Sequence, residues 1–358
     1  MKSLAKYRAA SPILLFLAAL LLNSCVTAKL SRSQEKKITG KTYVIIGASS
    51  GFGRGVAEEL GRCGANVVIA ARRTELLEEV ADTIRKAGGT ATVVTMDISR
   101  PEDMQRLTDT VLKLYDTVDV WINMVGVGAI GKFWEIPVED QARLVDVNLK
   151  GFIYGTYAAI GQFRKQGYGT LINMGSVDSE TPHAYQATYA ATKAAVMSLG
   201  IALAQELRLE GLRDIKVVTI EPWAVDTPFW RHAANYSGGT PRFAALDEPQ
   251  KVVNAVLRTS LNPRKKEVPV GWKATGSSIS HHHFPRLTER ITANVAHTYQ
   301  IENAPPYPDT VGAIYQPMEG GRGVEDGVKE RIKREKKQMK EDKKAARRGR
   351  KEGSRKEE

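Results

Sequence analysis

A regular alternation of short β-branched runs with longer helical stretches through the middle of the chain limits its fold more than any other feature. Thr42-Tyr43-Val44-Ile45-Ile46 ends at Gly47, and the stretch from Gly55 to Arg62 then has helical character. Asn66 to Ala70 reads as a second strand, Glu75 to Lys86 as a helix, Thr90 to Met96 as a third strand and Val118 to Asn123 as a fourth. Two more strands, Thr170 to Met174 and Lys216 to Ile220, alternate with helices that begin near Asp140 and Thr188. Strands that are apolar along their whole length are buried on both faces, which requires a parallel sheet with helices above and below it. The expected fold class is α/β, a doubly wound parallel sheet forming a single domain.

The net charge of +12 belongs to the chain's ends. The last 30 residues carry a net +8 and the first 37 a net +6, leaving the body slightly negative. The charge therefore bears on what the ends touch, not on what the body does. Lys2, Lys6 and Arg8 precede an apolar run from Pro12 to Leu22 and then Asn23-Ser24-Cys25. This is the layout of a signal or membrane-anchor segment, and three readings stay open: a retained anchor, a cleaved or lipidated signal, and a plain apolar extension. Residues 1–37 are assigned to this segment and its linker, 38–304 to the domain, and 305–358 to a Pro/Gly-rich linker and a basic, solvated tail. Anionic lipid suits that tail better than a specific nucleic acid, because the tail has no aromatic residue to stack on a base. Cys25 and Cys63 lie far apart without ligand spacing, and His281-His282-His283 has no carboxylate or Cys nearby, so it reads as a surface loop. No metal site is expected.

Gly47-Ala48-Ser49-Ser50-Gly51-Phe52-Gly53 sits between the first strand and the first helix, where glycines let the backbone approach a pyrophosphate and the helix N-terminus offers free N–H groups. At the end of the second strand a carboxylate would bond a ribose 2′-OH, whereas a cation would meet a 2′-phosphate. Here the chain reads Ala70-Ala71-Arg72-Arg73. Arg72, helped by Ser49 or Ser50, is the expected phosphate contact, Arg73 reads as the solvated start of the next helix, and NADP(H) is the expected cofactor. Asp97, just after the third strand, is placed near the adenine amino group.

Tyr189-Ala190-Ala191-Thr192-Lys193 puts a phenol and an ammonium one helical turn apart on one face. An ammonium so placed is expected to lower the phenol's pKa and make it a usable proton carrier. Together with Gly47-x3-Gly51-x-Gly53, Asn148 in Val147-Asn148-Leu149-Lys150-Gly151, and Ser176 thirteen residues before Tyr189, this pair resembles the signature set of the short-chain dehydrogenase/reductase family. The resemblance covers residues 38 to about 270 and implies a Rossmann-type sheet and a tetrad. In that tetrad Tyr189 is the general acid/base, Lys193 lowers its pKa and holds the nicotinamide ribose, Ser176 bonds the substrate oxygen, and Asn148 keeps a proton relay. It also implies cofactor contacts from Phe52, Asn123, Pro222, Val225 and Thr227, and a dimer or tetramer through helices near 149–165 and 188–210. The chain departs from the family pattern at Ile46 (usually Thr), at Asn123-Met124-Val125-Gly126 (usually Asn-Asn-Ala-Gly) and at Pro222-Trp223 (usually Pro-Gly).

Phe229, Trp230, His232, Tyr236 and Phe243 follow the sixth strand, where relatives carry a mobile substrate lid. With Trp223, His183 and Tyr185 they suggest a hydrophobic carbonyl or alcohol as substrate. The expected protein is an NADP(H)-dependent oxidoreductase associated with a membrane, on the cytoplasmic face where the cofactor is supplied. The alternative is a catalytically silent NADP(H)-binding sensor or scaffold there. Phe284, Leu287, Ile291 and Val295 recur at helical spacing and suit a helix lying either on the core or on a membrane.

Overall fold

The computed structural model describes residues 26–354, so the apolar run of the proposed anchor and Cys25 lie outside the described residues. Seven parallel strands form one sheet: β1 (Thr42–Ile46), β2 (Asn66–Ala71), β3 (Thr90–Thr95), β4 (Val120–Asn123), β5 (Gly169–Met174), β6 (Ile215–Pro222) and β7 (Glu267–Val270). Their order across the sheet is β3-β2-β1-β4-β5-β6-β7. The six strands expected from sequence are all present. The seventh is short and contains Pro269, whose missing N–H is tolerated at an edge and hides the strand from a β-propensity reading.

Alternate residues of each strand feed opposite layers. Tyr43 and Ile45 of β1 and Ile122 of β4 pack with α1 (Gly51–Arg62), α2 (Thr74–Lys86) and α7 (Pro249–Leu261), through Leu60, Leu77 and Val256 among others. Val44, Ile46 and Trp121 pack on the other face with α3 (Pro101–Leu114), α5 (Gly151–Gln166) and α6 (Ala187–Leu209). Both faces are dry, as the apolar runs require. β1 and β4 are neighbours although α1, β2, α2, β3 and α3 separate them in the chain, so the sheet reverses its winding between them and leaves a crevice at their carboxyl ends.

Beyond β7 the chain forms α8 (Gly271–His283) and α9 (Pro285–Ala296). The three histidines close α8 rather than occupying a loop, and among the described residues no group of three His, Cys, Asp or Glu side chains could hold a metal. Phe284, Leu287 and Ile291 project into solvent, while Thr288 and Ala296 face the protein. Residues 305–327, read from sequence as a linker, instead run across the crevice, and α10 (Val328–Ser354) follows. Val328 and Ile332 are buried against Trp230, Phe243 and Leu246, and Asp226 accepts hydrogen bonds from the free amides of Val328 (2.8 Å) and Lys329 (3.0 Å). Two buried aliphatic side chains and a carboxylate cap hold the start of a helix that charge alone would leave solvated.

Candidate active site

One cleft at the carboxyl ends of β1, β4, β5 and β6 gathers most of the residues singled out above. Its floor is the turn from β1 into α1. Gly47 has φ +100°, and a Cβ there would lie 2.9 Å from the Val125 nitrogen. A Cβ on Gly53 would come within 2.0 Å of the Gly47 carbonyl oxygen. No side chain fits at either position, and the bare backbone they leave at a helix N-terminus is the cradle a pyrophosphate needs. Ser49, Ser50, Gly51 and Phe52 complete the floor, and Asp97, Pro222, Val225 and Thr227 line the walls. These residues fit a dinucleotide.

The two arginines differ from expectation. Arg73, read as solvated, turns inward: its guanidinium donates to Ser50 Oγ (2.8 Å), Ser49 Oγ (3.2 Å) and the Met318 carbonyl (3.1 Å). Arg72 also lines the cleft but donates to the carbonyls of Ala313 (2.6 Å) and Tyr315 (3.0 Å). The same crossing segment reaches the helix N-terminus, where the Gly51 amide donates to the Gly323 carbonyl (2.9 Å). Asp97 is engaged by Arg143 (2.7 Å) and by the Ser99 hydroxyl (2.7 Å), which together hold its carboxyl below the usual range despite burial.

Asn123 is not in the wall. Its side chain accepts from Trp121 Nε1 (3.0 Å) and donates to Asn173 Oδ1 (2.9 Å), its register partner on β5, so it ties two strands together inside the sheet. Tyr185 also stays out of the cleft. Held at φ +69°, it places its hydroxyl 2.6 Å from His297 Nδ1 and stacks on that ring. Met124, Val125 and Gly126, which follow it in the run that departs from the family pattern, take the wall position instead.

Ser176, Tyr189 and Lys193 line the cleft, whereas Asn148 stands behind its wall. Asn148 lies on a π turn, Asp146–Lys150, that joins helix α4 (Val138–Val145) to α5. Its fully buried side chain accepts from the Val127 amide (3.0 Å) and donates to the Val127 carbonyl (2.8 Å), clamping the loop that leaves β4. Ser176 ends the strand–turn after β5. Tyr189 and Lys193 sit one turn apart on α6, with Lys193 Nζ 5.7 Å from the phenol ring centroid and donating to the Met174 carbonyl (2.8 Å). Burial pushes Lys193 down to about 7. Burial and the nearby Asp178 charge push the Tyr189 phenol up, only partly countered by its bond to Ser176. The expected acidification of Tyr189 is thus reversed when the protein's own groups act alone: the phenol stays protonated and gives up its proton reluctantly.

On the far side of Tyr189 an aromatic wall closes the cleft. Trp223, Phe229, Trp230 and Phe243 pack edge to face or stacked, and Trp230 Nε1 donates to the Val225 carbonyl (2.8 Å). His183 is wedged among them, 5.8 Å from Trp223 and 5.0 Å from Phe243 between ring centroids. The first turns of α10 back this wall, a contribution from the chain's end that no sequence motif announced.

A family model described as short chain dehydrogenase matches residues 41–236. The chain is 32% identical over 294 residues to uncharacterized oxidoreductase YxnA of Bacillus subtilis, covering 81% of each protein. It is similar to the crystal structure of a metagenomic short-chain oxidoreductase in complex with NADP (TM-score 0.55, 27% identity, 65% of this chain and 97% of that one). It is also similar to 3-ketoacyl-(acyl-carrier-protein) reductase from Brucella melitensis complexed with NADH (TM-score 0.57, 29% identity, 66% and 99%).

Proposed function

This chain belongs to the short-chain dehydrogenase family, and from that premise we propose that it is an NADP(H)-dependent oxidoreductase interconverting a carbonyl and an alcohol on a largely hydrophobic small molecule. The observation that carries the reading is the convergence of Ser176, Tyr189 and Lys193 on one cleft whose floor is a glycine turn no side chain could fill. Ser49, Ser50 and the Arg72-Arg73 pair favour NADP(H): two guanidinium groups at the end of β2 suit a 2′-phosphate, and no carboxylate there is free to take a ribose hydroxyl. A nicotinamide bound in this cleft supplies or takes up the hydride. Tyr189 holds the proton at Oη and delivers it to the carbonyl oxygen, and Ser176 orients that oxygen. Lys193, anchored on the Met174 carbonyl, sits beside the phenol and restores its acidity when charged. Asn148 fixes the loop across from them.

Purified protein with NADPH and a panel of apolar ketones and aldehydes tests this. Turnover that Tyr189→Phe abolishes while NADPH still binds is expected. Tight NADPH binding without oxidation across the panel would favour the sensor or scaffold reading instead.

The apolar α6 is 28% buried within its most hydrophobic window, and Ile153 and Tyr157 of α5 are exposed, which supports a homodimer or homotetramer through these helices. The basic, apolar start of the chain supports membrane attachment, and the supply of the proposed cofactor favours the cytoplasmic face. Recovery of the full-length protein in a carbonate-washed membrane fraction is expected, and its release by the wash would refute the attachment.

A further inference from the structure

The short turn between Ser176 and Tyr189 carries a buried carboxyl–imidazole pair to which the tetrad assigns no role. Asp178 bonds Ser176 twice: its amide donates to Ser176 Oγ (3.1 Å), and that hydroxyl donates to Asp178 Oδ2 (3.3 Å). Its other oxygen faces His183 Nδ1 at 2.5 Å and accepts from the His183 amide at 3.0 Å. The imidazole side chain is 2% exposed. Burial opposes a charge on this ring, but the Asp178 carboxylate outweighs it and raises the imidazole above its ordinary value. With Nδ1 committed to Asp178, Nε2 is left in the wall of the substrate cleft, and among the described residues it has no hydrogen-bond partner.

Its neighbour has the same deficit. Trp223 Nε1, from the ring 5.8 Å away in the same wall, is buried without a partner among the described residues. An indole nitrogen only donates, so what is missing here is an acceptor. Two buried nitrogens without partners in one otherwise aromatic wall are costly unless a ligand supplies an oxygen to pair with them. When the ring is protonated Asp178 offsets its charge, so a neutral oxygen satisfies both nitrogens as donors without adding a buried charge.

Resting on the carbonyl-reductase reading above, we propose that His183 and Trp223 form a substrate-binding subsite, donating from Nε2 and Nε1 to a second, non-reacting carbonyl or hydroxyl oxygen. The substrate class is then the dicarbonyls and hydroxyketones, their apolar parts against Phe229 and Phe243 and their reacting oxygen at Ser176 and Tyr189. The aromatic wall thus reads one oxygen as well as burying hydrocarbon.

The test uses matched ketones that differ in that oxygen, 2,3-hexanedione against 2-hexanone and 3-hydroxy-2-butanone against 2-butanone, with kcat/KM ratios taken within each pair. Comparing variants with wild type cancels the intrinsic reactivity of the diketone. His183→Leu is expected to lower both ratios about tenfold or more. His183→Gln, which keeps a side-chain N–H, should retain most of the preference, and Trp223→Phe should lose part of it. Should His183→Leu fail to fold, Asp178→Asn read by the same ratios replaces it, with a fall expected as the carboxylate that holds the His183 ring is lost. Ratios that stay at wild-type values, or both members of each pair falling in parallel, overturn the subsite. Wild-type protein that turns over neither member of either pair overturns the reductase reading itself, an outcome distinct from a subsite failure.

Discussion

Glu221 lies on β6 directly beneath the turn that presents Ser176, so close that a Cβ on Gly175 would sit 3.3 Å from its Cγ. It is 3% exposed, and Oε1 has no hydrogen-bond partner among the described residues. Burial, reinforced by the charges of Glu180 and Glu267, pushes its pKa from 4.5 to about 8. The folded protein therefore keeps a proton that the unfolded chain has already released, and the sign follows. The stabilising effect of the neutral carboxyl is complete below about pH 4.5, declines as pH rises, and is gone above about 8, where the buried carboxylate has ionised. A shift of that size corresponds to roughly 5 kcal/mol, taken as a ceiling. Glu221→Gln has the same shape and never ionises, so it should match wild type at pH 5 and exceed it by several kcal/mol at pH 9. Urea unfolding followed by tryptophan fluorescence reads this as a midpoint higher by about 1 to 2 M at pH 9. Lys193, lowered to about 7, works in the opposite direction, adding stability as pH rises past that value, but it is common to both proteins and cancels in the comparison. A difference between the two proteins that does not change from pH 5 to pH 9 would refute the argument.

Arg73→Ala should weaken NADPH binding about tenfold or more and leave NADH nearly unaffected, while Arg72→Asp should move the preference towards NADH; fluorescence titration with each nucleotide checks both, and an unchanged ratio in both variants would remove the arginines from cofactor choice. Asp226→Ala removes the cap on α10 and should cost about 1 to 2 kcal/mol of its docking, seen as faster hydrogen exchange across residues 313–332, with exchange at the wild-type rate as the contrary result.

The parts of the site that were legible in the sequence are those where chemistry narrows the residue choice to one or two. Gly47 and Gly53 stand where a Cβ would collide with backbone, and Tyr189 and Lys193 share a helix face by spacing alone. What was not legible depends on direction. Arg72 and Arg73 are equally cationic, and only the bend from β2 into α2 decides which of them meets Ser49 and Ser50. Asn123 looks like a wall residue until register pairs it with Asn173, and Tyr185 looks like a pocket aromatic until a positive φ turns it towards His297. The phenol's acidity was misjudged because spacing shows Lys193 but not the burial around it or the Asp178 charge. The crossing segment was invisible for a simpler reason. It is held largely through backbone carbonyls, and every sequence has those.

That segment joins residues 272 positions apart where the Gly323 carbonyl meets the Gly51 amide. Translation therefore delivers the floor of the nucleotide site early and its rim last. A product that ends between Lys193 and Ala313, through a premature stop codon, a protease cut or a shortened clone, keeps all four tetrad side chains and loses the rim. A clone ended at residue 304, where composition alone marks the domain's edge, would lack the partners of Arg72 and the residues that pack behind Trp230. The functional unit extends at least to Ile332, and an expression boundary belongs beyond it.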